Sequence, residues 1–499
     1  MMLSSSPFPL SKKISLGLGP LFFLVLWLGP DIGGISPAAQ KVLGVAAWML
    51  TWWIGEAVAL PVTAMLPLVL FPGLGIYDKM EQVTLSYANP IIFLFLGGFM
   101  LALALEKWHL HRRIALNIVR LTGTRADGII FGFMLATALL SMWISNTATT
   151  VMMLPIALSI IQLLHKEETA QSPGMKNFAL VMMLGIAYAA NIGGIATLIG
   201  TPPNSVLASV LLNQYGYEIS FAQWMLVGFP FSILLLGLGY ALLVKVIYPN
   251  RLGQLADSLY LIKAEIKKLG ALRRGEKLAL SVFGLTAFLW IFRDTLNWLW
   301  PWLALSDPLI AMLGTLLLFA IPVHWPSGKF ILQWEDTQRL PWGILLLFGG
   351  GLCLADGMEK TGLIQLIGDQ ISQFQHWNIW GILFLITLIV LFMTEVMSNV
   401  ALVTVMAPLI SGIAVSLGQN PLLLCVPITM VASCAFMLPM ATPPNAIVFA
   451  SGYIRVGQMV RAGLWLNLLS VLLIMLMAFT LLPWVFDLKP GVLPDWAKK

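Results

Sequence analysis

Residues 191–204 read NIGGIATLIGTPPN, and residues 436–445 read FMLPMATPPN. Each stretch ends in a Thr-Pro-Pro-Asn motif inside a long apolar run. Two adjacent prolines remove backbone donors and break a helix, and the glycines before the first motif allow close backbone approach. The carbonyl groups that the prolines free must be buried in protein or line a cavity, because hydrocarbon offers them no partner. The two motifs therefore predict a pair of broken helices rather than two plain proline kinks.

The rest of the chain is too apolar for a water-soluble protein. Of its 499 residues, 59% are hydrophobic and 10% are charged, whereas a soluble domain carries about 25% charged residues. Apolar runs such as 222–248 and 463–484 reach the roughly 20 residues that a membrane-spanning helix needs. Strands of a transmembrane barrel would be shorter and would alternate in polarity. The sequence thus predicts an all-α, polytopic membrane protein.

A second pair of polar breaks interrupts the apolar segments 128–165 and 378–417, which are too long for single spans. A Ser-Asn pair begins at Ser145 in the first segment and at Ser398 in the second. Each segment is either a kinked helix or a re-entrant hairpin. With two hairpins, about eleven transmembrane helices and a cytoplasmic N-terminus, 21 Lys and Arg lie in the cytoplasm and seven lie outside. This bias is the expected one, so we expect hairpins and a C-terminus outside the cell.

The motifs recur in the same order in the two halves of the chain. The Ser-Asn pairs are 253 residues apart, the Thr-Pro-Pro-Asn motifs are 241 apart, and Gly97-Gly98 is matched by Gly349-Gly350, 252 residues later. The two copies begin on opposite sides of the membrane, as in the inverted repeats of many secondary transporters. The predicted units are an N-terminal helix (1–38), a first inverted repeat (39–249) with a hairpin at 128–165 and a broken helix at 176–212, a cytoplasmic amphipathic linker (250–275), a second inverted repeat (276–485) with a hairpin at 378–417 and a broken helix at 421–450, and a C-terminal tail (486–499).

The chemistry of the four motifs indicates a site for small ions. Backbone carbonyls at breaks, hydroxyls and amide oxygens are neutral ligands that suit a small cation such as Na⁺. Helix N-termini and amide donors suit a carboxylate or another oxyanion. The motifs contain no Arg or Lys, so anion binding should depend on bound cations. For a Ser-Asn motif alone, interhelical hydrogen bonding is the alternative.

The remaining polar residues offer weaker signals. Glu395 stands beside the second Ser-Asn pair and could tune the site. Glu56 lies in an apolar stretch, where an acidic residue is a functional candidate, although it could simply pair with a neighbour. The five histidines stand mostly at helix ends. The chain has no convincing Ser-His-Asp set and no Walker motif, which argues against an enzyme. A channel remains an alternative, and no nucleic-acid partner is expected because basic residues here set membrane orientation.

At these motifs the chain resembles the divalent anion/sodium symporter family, the INDY-type di- and tricarboxylate transporters. The resemblance covers most of the chain and is densest at SNTATTVMMLPIALSI (145–160) and TEVMSNVALVTVMAPLI (394–410), each followed by its Thr-Pro-Pro-Asn motif. It implies an inverted-repeat elevator transporter of the ion transporter superfamily type, working as a homodimer. The implied activity is Na⁺-coupled symport of C4-dicarboxylates (succinate, malate or fumarate) across the cytoplasmic membrane. A dicarboxylate exchanger and a Na⁺-coupled transporter of citrate, sulfate or another oxyanion are the alternatives.

The resemblance also carries site residues over to this chain. It implies a first Na⁺ site at Ser141, Ser145, Asn146 and Gly200, and a second at Thr394, Met397, Asn399 and Ala441, with backbone carbonyls from Met397 and Ala441. Implied substrate contacts are Asn146, Thr147, Thr201, Asn399, Val400, Thr442 and Pro443. Many bacterial members have Thr where this chain has Val400, so one hydroxyl donor is lost and substrate preference should depend on this position.

Overall fold

The structure is a computed structural model of the chain, and it describes residues 9–32, 34–164, 172–254, 256–366 and 378–498. In these residues the protein is almost entirely helical, with a single small sheet of β1 (Pro322–His324) and β2 (Lys329–Phe330). The prediction of an all-α polytopic fold is confirmed. The residues outside the described ranges are 1–8 and 33 of the predicted N-terminal helix unit, 165–171 of the first repeat (with residue 165 of its hairpin), 255 of the linker, 367–377 of the second repeat and 499 of the tail.

Twenty-one α-helices follow one another along the described chain. The first half contains α1 (Leu10–Leu28), α2 (Pro37–Gly55), α3 (Leu60–Thr63), α4 (Leu66–Gly73), α5 (Met80–Tyr87), α6 (Pro90–Lys107), α7 (Leu110–Leu121), α8 (Ala126–Ser141), α9 (Asn146–Leu164), α10 (Pro173–Ile195), α11 (Pro202–Tyr215) and α12 (Phe221–Ala241). After α13 (Ala256–Leu269), the second half contains α14 (Arg274–Leu299), α15 (Asp307–Ala320), α16 (Trp342–Lys360), α17 (Ile379–Thr394), α18 (Asn399–Ser416), α19 (Pro421–Ala432), α20 (Pro443–Phe449) and α21 (Val456–Phe486).

Eight of the described helical segments are long and apolar enough to cross a membrane by length and composition. One of them, α18, is an arm of the second polar-broken segment. The prediction of about eleven spans therefore depends on counting α2, α3–α4, α15 and the broken pair α19–α20 as further crossings. Sequence reasoning did not predict α5, α7 or the strand pair, because these elements are short and lack a continuous apolar run.

The first polar-broken segment folds back on itself. The first turns of α8 and α10 both contact the segment 249–254. Near the other ends of these helices, Ala138 packs against Gly193, so α8 and α10 run parallel. Asn146, the first residue of α9, lies beside Gly194. Helix α9 therefore starts where α10 ends and runs back towards the start of α10, which makes α8 and α9 the arms of a hairpin.

The second polar-broken segment has the same arrangement. The Thr394 hydroxyl at the end of α17 donates to the carbonyl of Ala432 at the end of α19, at 2.5 Å. Helix α18 begins at Asn399, whose side chain contacts Thr394. It then leads through a tight turn at Gly418, where φ is +67°, into α19. Helix α18 thus runs from the end of α17 back to the start of α19, as the return arm of a second hairpin.

Reciprocal glycine contacts reveal the register of the repeat. A Cβ atom placed on Gly97 in α6 would lie 2.6 Å from the Cβ of Ala311, and one on Gly350 in α16 would lie 2.6 Å from the Cβ of Ala64. Each half thus presses a glycine against a helix of the other half, a packing mode that small residues permit. The structural counterpart of Gly97 is therefore Gly350 rather than Gly349. The corrected offset of 253 residues matches that of the Ser-Asn pairs.

Candidate functional site

The tips of the two hairpins are closed by matching side-chain pairs. The Ser141 hydroxyl donates to Asn146 Oδ1 at 2.6 Å, and Thr394 Oγ1 lies 2.7 Å from Asn399 Oδ1. The members of the two pairs are separated by the same 253 residues as the repeats. In both halves a hydroxyl oxygen and an amide oxygen therefore lie within hydrogen-bonding distance, as neighbouring neutral ligands of one cation would.

Gly194 lies at the centre of the first group of predicted site residues. A Cβ atom at this position would come within 2.7 Å of Asn146 Oδ1 and 3.2 Å of the Cβ of Thr201. A Cβ on Gly200 would in turn lie 2.5 Å from the Gly194 carbonyl oxygen. The structure thus brings Ser141, Asn146, Gly200 and Thr201 together around a residue that sequence reasoning treated only as a point of close backbone approach.

The other predicted site residues are distributed around the same breaks. The Ser145 hydroxyl accepts from the backbone N–H of Ala148 at 3.2 Å, so it caps the start of α9. Ala441 is buried at the end of the second broken segment, where its N–H donates to the Leu438 carbonyl at 3.2 Å. The remaining residues differ in exposure: Met397 and Thr442 are buried, Asn399 and Val400 are half-buried, and Thr147 and Pro443 are exposed.

The asparagines that end the Thr-Pro-Pro-Asn motifs satisfy the carbonyls of the broken segments. Asn204 donates from Nδ2 to the carbonyls of Gly194 and Thr197, at 3.2 and 2.8 Å. Asn445 donates to the corresponding carbonyls of the second half, at 3.1 and 3.0 Å. Both side chains are fully buried. They therefore hold the unwound backbone in place and provide hydrogen-bond partners for its free carbonyl groups.

Glu395 stabilises the second broken segment. Its carboxylate accepts hydrogen bonds from the backbone N–H groups of residues 436–438, at 2.9 to 3.2 Å, and from Asn467 Nδ2 at 2.7 Å. In the first half, Met142 occupies the counterpart position, and its carbonyl accepts from the Thr197 hydroxyl at 2.5 Å. The charged residue beside the second Ser-Asn pair is thus engaged by neutral donors of the protein.

Each hairpin faces the broken helix of the opposite half. The return arm α9 packs against α20, and the return arm α18 packs against α11. Both return arms begin at an asparagine of the Ser-Asn motif. The positive ends of two long helices therefore point towards the region between the halves, an arrangement that favours bound anions.

A cavity of about 290 Å³ opens beside the first hairpin. One wall consists of Ile144 and the turn 148–152 of α9, and the other consists of Glu106, His109, His111 and Arg339. Burial lowers the pKa of the His111 imidazole, which also contacts the Leu105 carbonyl. A larger cavity of about 450 Å³ lies beside the exposed ion pair between Lys12 and Glu56 and contains none of the predicted site residues. The smaller cavity also lacks the predicted site residues, but its lining residues Ile144 and Ala148 flank the first Ser-Asn pair.

Comparison with known proteins identifies the family of the chain. A family model described as the sodium:sulfate symporter transmembrane region matches residues 11–488. The chain belongs to this family. The resemblance inferred from the motifs is thereby confirmed, and this symporter-family protein is a multi-pass membrane transporter rather than an enzyme.

Two relatives of this symporter-family protein carry the name sodium-dependent dicarboxylate transporter SdcS. The one from Staphylococcus saprophyticus is 42% identical over 478 residues, which cover 95% of this chain and 92% of that protein. The one from Staphylococcus aureus strain USA300 is 42% identical over 486 residues, which cover 97% and 93%.

Two solved structures share the fold of this symporter-family protein. The YdaH transporter of Alcanivorax borkumensis aligns with a TM-score of 0.55 and 12% identity, over 95% of this chain and 99% of that one. MtrF of Neisseria gonorrhoeae, described among antimetabolite efflux pumps, aligns with a TM-score of 0.55 and 14% identity, over 98% of both chains. At such low identity these similarities show the fold alone.

Proposed function

We propose that this protein is a secondary active transporter that couples Na⁺ entry to symport of a C4-dicarboxylate such as succinate, malate or fumarate. The observation that carries the proposal is the mirrored pair of hydroxyl–amide contacts at the two hairpin tips, Ser141 with Asn146 and Thr394 with Asn399. The names of the SdcS relatives support both the coupling ion and the substrate class.

The proposed cation sites use neutral oxygen atoms only. Ser141, Ser145, Asn146 and Gly200 would hold the first Na⁺, and Thr394, Met397, Asn399 and Ala441 would hold the second. Hydroxyl, amide and unwound carbonyl oxygens are the donor set that coordinates Na⁺ in broken-helix transporters. Glu395 is not a member, because its oxygens already accept hydrogen bonds from residues 436–438 and Asn467.

The substrate would lie between the hairpin tips. The proposed contacts are Asn146, Thr147, Thr201, Asn399, Val400, Thr442 and Pro443. A dicarboxylate has an anionic group at each end, and the site has two helix N-termini, those of α9 and α18, to face them. Bound Na⁺ ions would supply the positive charge that Arg and Lys do not, so we expect substrate affinity to rise with Na⁺ concentration.

The geometry favours a dicarboxylate over sulfate, for which the family is named. Sulfate is a single compact anion, whereas the two helix N-termini belong to opposite halves of the molecule. The SdcS relatives, at 42% identity over nearly the whole chain, also carry a dicarboxylate name. Citrate, sulfate and other oxyanions, and exchange instead of symport, remain the alternatives to be tested.

The inverted repeats differ in their contacts with the hairpins, which supports alternating access. In the second half, Thr404 of α18 lies against Gly351 of α16. The counterparts of these residues in the first half are Val151 of α9 and Gly98 of α6, each 253 residues earlier. Val151 is 53% exposed and lines the cavity beside the first hairpin, so the corresponding contact is open.

The broken segments show the opposite difference. Gly98 lies against Ile199, with 3.2 Å between an added Cβ and Ile199 Cδ1. The counterpart of Ile199 is Met440, 241 residues later, and its side chain is 76% exposed. Thus the hairpin contacts its glycine-bearing helix only in the second half, and the broken segment contacts its own only in the first half. We propose that transport exchanges the two sets of contacts by an elevator movement of the hairpins and broken helices past α6 and α16.

The proposed orientation places the N-terminus in the cytoplasm and the C-terminus outside the cytoplasmic membrane. Helix α13, in the predicted cytoplasmic linker, is joined to α7 by an ion pair between Arg112 and Glu265 at 2.5 Å. Arg113 of α7 also pairs with Glu276 of α14 at 2.8 Å. With this orientation, the cavity beside the first hairpin opens towards the cytoplasm. As the family resemblance implies, we propose a homodimer, which cross-linking in native membranes would test.

Uptake of labelled succinate into proteoliposomes tests the proposed function. We expect uptake that requires an inward Na⁺ gradient and falls to background when choline replaces Na⁺. Equal uptake in choline would contradict Na⁺ coupling. Uptake that requires internal dicarboxylate would instead identify an exchanger, and stronger competition by citrate or sulfate than by malate would reassign the substrate.

A further inference from the structure

The hydroxyl group of Thr442 receives two hydrogen bonds from the protein. Asn191 Nδ2 donates to Thr442 Oγ1 at 3.1 Å, and the backbone N–H of Asn445 donates to the same oxygen at 3.4 Å. Asn191 belongs to α10 in the first half and is only 2% exposed. A residue outside all four motifs therefore connects the first repeat to the Thr-Pro-Pro-Asn motif of the second.

The environment of Asn191 determines which side of its amide faces Thr442. The same Nδ2 atom lies 3.5 Å from the carbonyl oxygen of Ala435, which can only accept a hydrogen bond. The NH₂ group, rather than the amide oxygen, must therefore face both Ala435 and Thr442. Asn191 is thus a donor to the threonine hydroxyl and cannot act as an acceptor from it.

A hydroxyl group offers one donor and two acceptor lone pairs. At Thr442 the two lone pairs receive the Asn191 and Asn445 donors, so the O–H proton is the only capacity left. Thr442 can therefore make one further hydrogen bond, and only with an acceptor. A carboxylate oxygen is such an acceptor, and a hydrogen bond with an ionised partner is stronger than a neutral one.

The first half lacks this arrangement. The residue 241 positions after Asn191 is Ala432, which has no donor side chain. Thr201, the counterpart of Thr442, starts α11 without a side-chain capping hydrogen bond, whereas Thr442 accepts from Asn445. Thr201 thus lacks both of the donors that orient Thr442.

We propose that Asn191 is a positioning residue that commits the Thr442 hydroxyl to donating towards one carboxylate of the substrate. The inference rests on the proposed function, because it assumes that Thr442 contacts the substrate. Asn191 itself does not enter the site. It acts through Thr442 and makes this end of the site favour a hydrogen-bond acceptor, an ionised carboxylate most strongly.

A double-mutant cycle tests the inference. The variants are Asn191→Ala, Thr442→Val and their combination, with succinate KM and maximal uptake rate measured in proteoliposomes at saturating Na⁺. We expect Asn191→Ala to raise KM about three- to tenfold with little change in maximal rate, as for a weakened hydrogen bond to a charged group. In the Thr442→Val background, the same change should have no further effect. If Thr442→Val abolishes uptake, succinate Kd values from calorimetry in detergent complete the cycle.

A fourth variant and a matched control separate positioning from folding. Asn191→Asp should raise KM more than Asn191→Ala, because its carboxylate would accept the Thr442 proton and turn it away from the substrate. Ser232→Ala removes a buried hydrogen bond of 2.8 Å from α12 to the carbonyl of Ile192, the neighbour of Asn191 in α10. This change does not touch Thr442. It should leave KM unchanged.

The outcomes distinguish the inference from the function on which it rests. If Asn191→Ala leaves KM unchanged, or raises KM by the same factor with and without Thr442, the positioning role is wrong although the proposed site stands. If Thr442→Val itself leaves KM unchanged, Thr442 is not a substrate contact and the proposed site fails.

Discussion

The methyl group of Thr404 lies directly over Gly351, so a Cβ atom on this glycine would come within 2.0 Å of Thr404 Cγ2. Of their counterparts, Val151 is 53% exposed, and the atoms nearest to Gly98 belong to Ile199. Under the proposed elevator movement, this contact marks the closed side of the transporter. Because it links the second hairpin to α16, it gives a direct way to disturb the proposed equilibrium between the two arrangements.

We expect Gly351→Ala to destabilise the arrangement described here, because the added methyl group cannot coexist with Thr404 at its present distance. A cysteine at position 151 should then react more slowly with a membrane-impermeant thiol reagent, as Val151 moves towards Gly98. Gly284→Ala is the matched control, since a Cβ there meets nothing within 4 Å. Unchanged labelling at position 151 would contradict the exchange of contacts.

The two hairpin-tip asparagines should both be essential. Asn146→Ala and Asn399→Ala each remove an amide oxygen from a proposed cation site and a donor from the substrate site. We expect succinate uptake to fall about 100-fold or more, as when two hydrogen bonds to charged groups are lost. Gel filtration should show the wild-type elution volume. Retention of wild-type uptake by both variants would refute the site.

The hydroxyl partners of these asparagines should affect the cation more than the substrate. Ser141→Ala and Thr394→Val remove one ligand from each proposed Na⁺ site. We expect the Na⁺ concentration for half-maximal uptake to rise about three- to tenfold for each variant. The succinate KM at saturating Na⁺ should change much less. A normal Na⁺ dependence in both variants would exclude these hydroxyls as ligands.

Glu395 should stabilise the fold of the second break. Glu395→Gln places an NH₂ group among backbone donors and leaves at least one of them unsatisfied, at a cost of about 1–3 kcal/mol. We expect a lower melting temperature in detergent, and Asn467→Ala should lower it less. An unchanged melting temperature with an altered Na⁺ dependence would instead place Glu395 in the cation site.

Position 400 should influence substrate preference. Val400→Thr adds a hydroxyl beside Asn399, at the repeat counterpart of the exposed Thr147. We expect a lower succinate KM, by up to about tenfold, because one more donor faces a carboxylate. The isosteric change Thr147→Val should raise KM. Unaltered competition by succinate, malate and citrate in both variants would show that these side chains do not face the substrate.

Much of the fold could be predicted because the signals are local. Asn146 and Pro202 lie in apolar runs, where a polar group or a broken helix has a high free-energy cost. Their presence there therefore indicates a functional break in the helix. The return of α9 towards the start of α10 was predicted only indirectly, from the distribution of Lys and Arg. The amphipathic α7 was missed because it is short and does not cross the membrane.

The sequence by itself determined the membrane class, the four breaks, the inverted repetition and the family, since each depends on residue types at known spacings. Only the tertiary structure decided which groups meet across the repeats. Asn191 and Thr442 are 251 residues apart, and nothing near either one indicates the other. The tertiary structure also identified Gly350 as the counterpart of Gly97 and placed Thr404 against Gly351, whereas Val151, the counterpart of Thr404, is exposed. Such facts depend on packing between distant segments, which spacing along the chain does not encode.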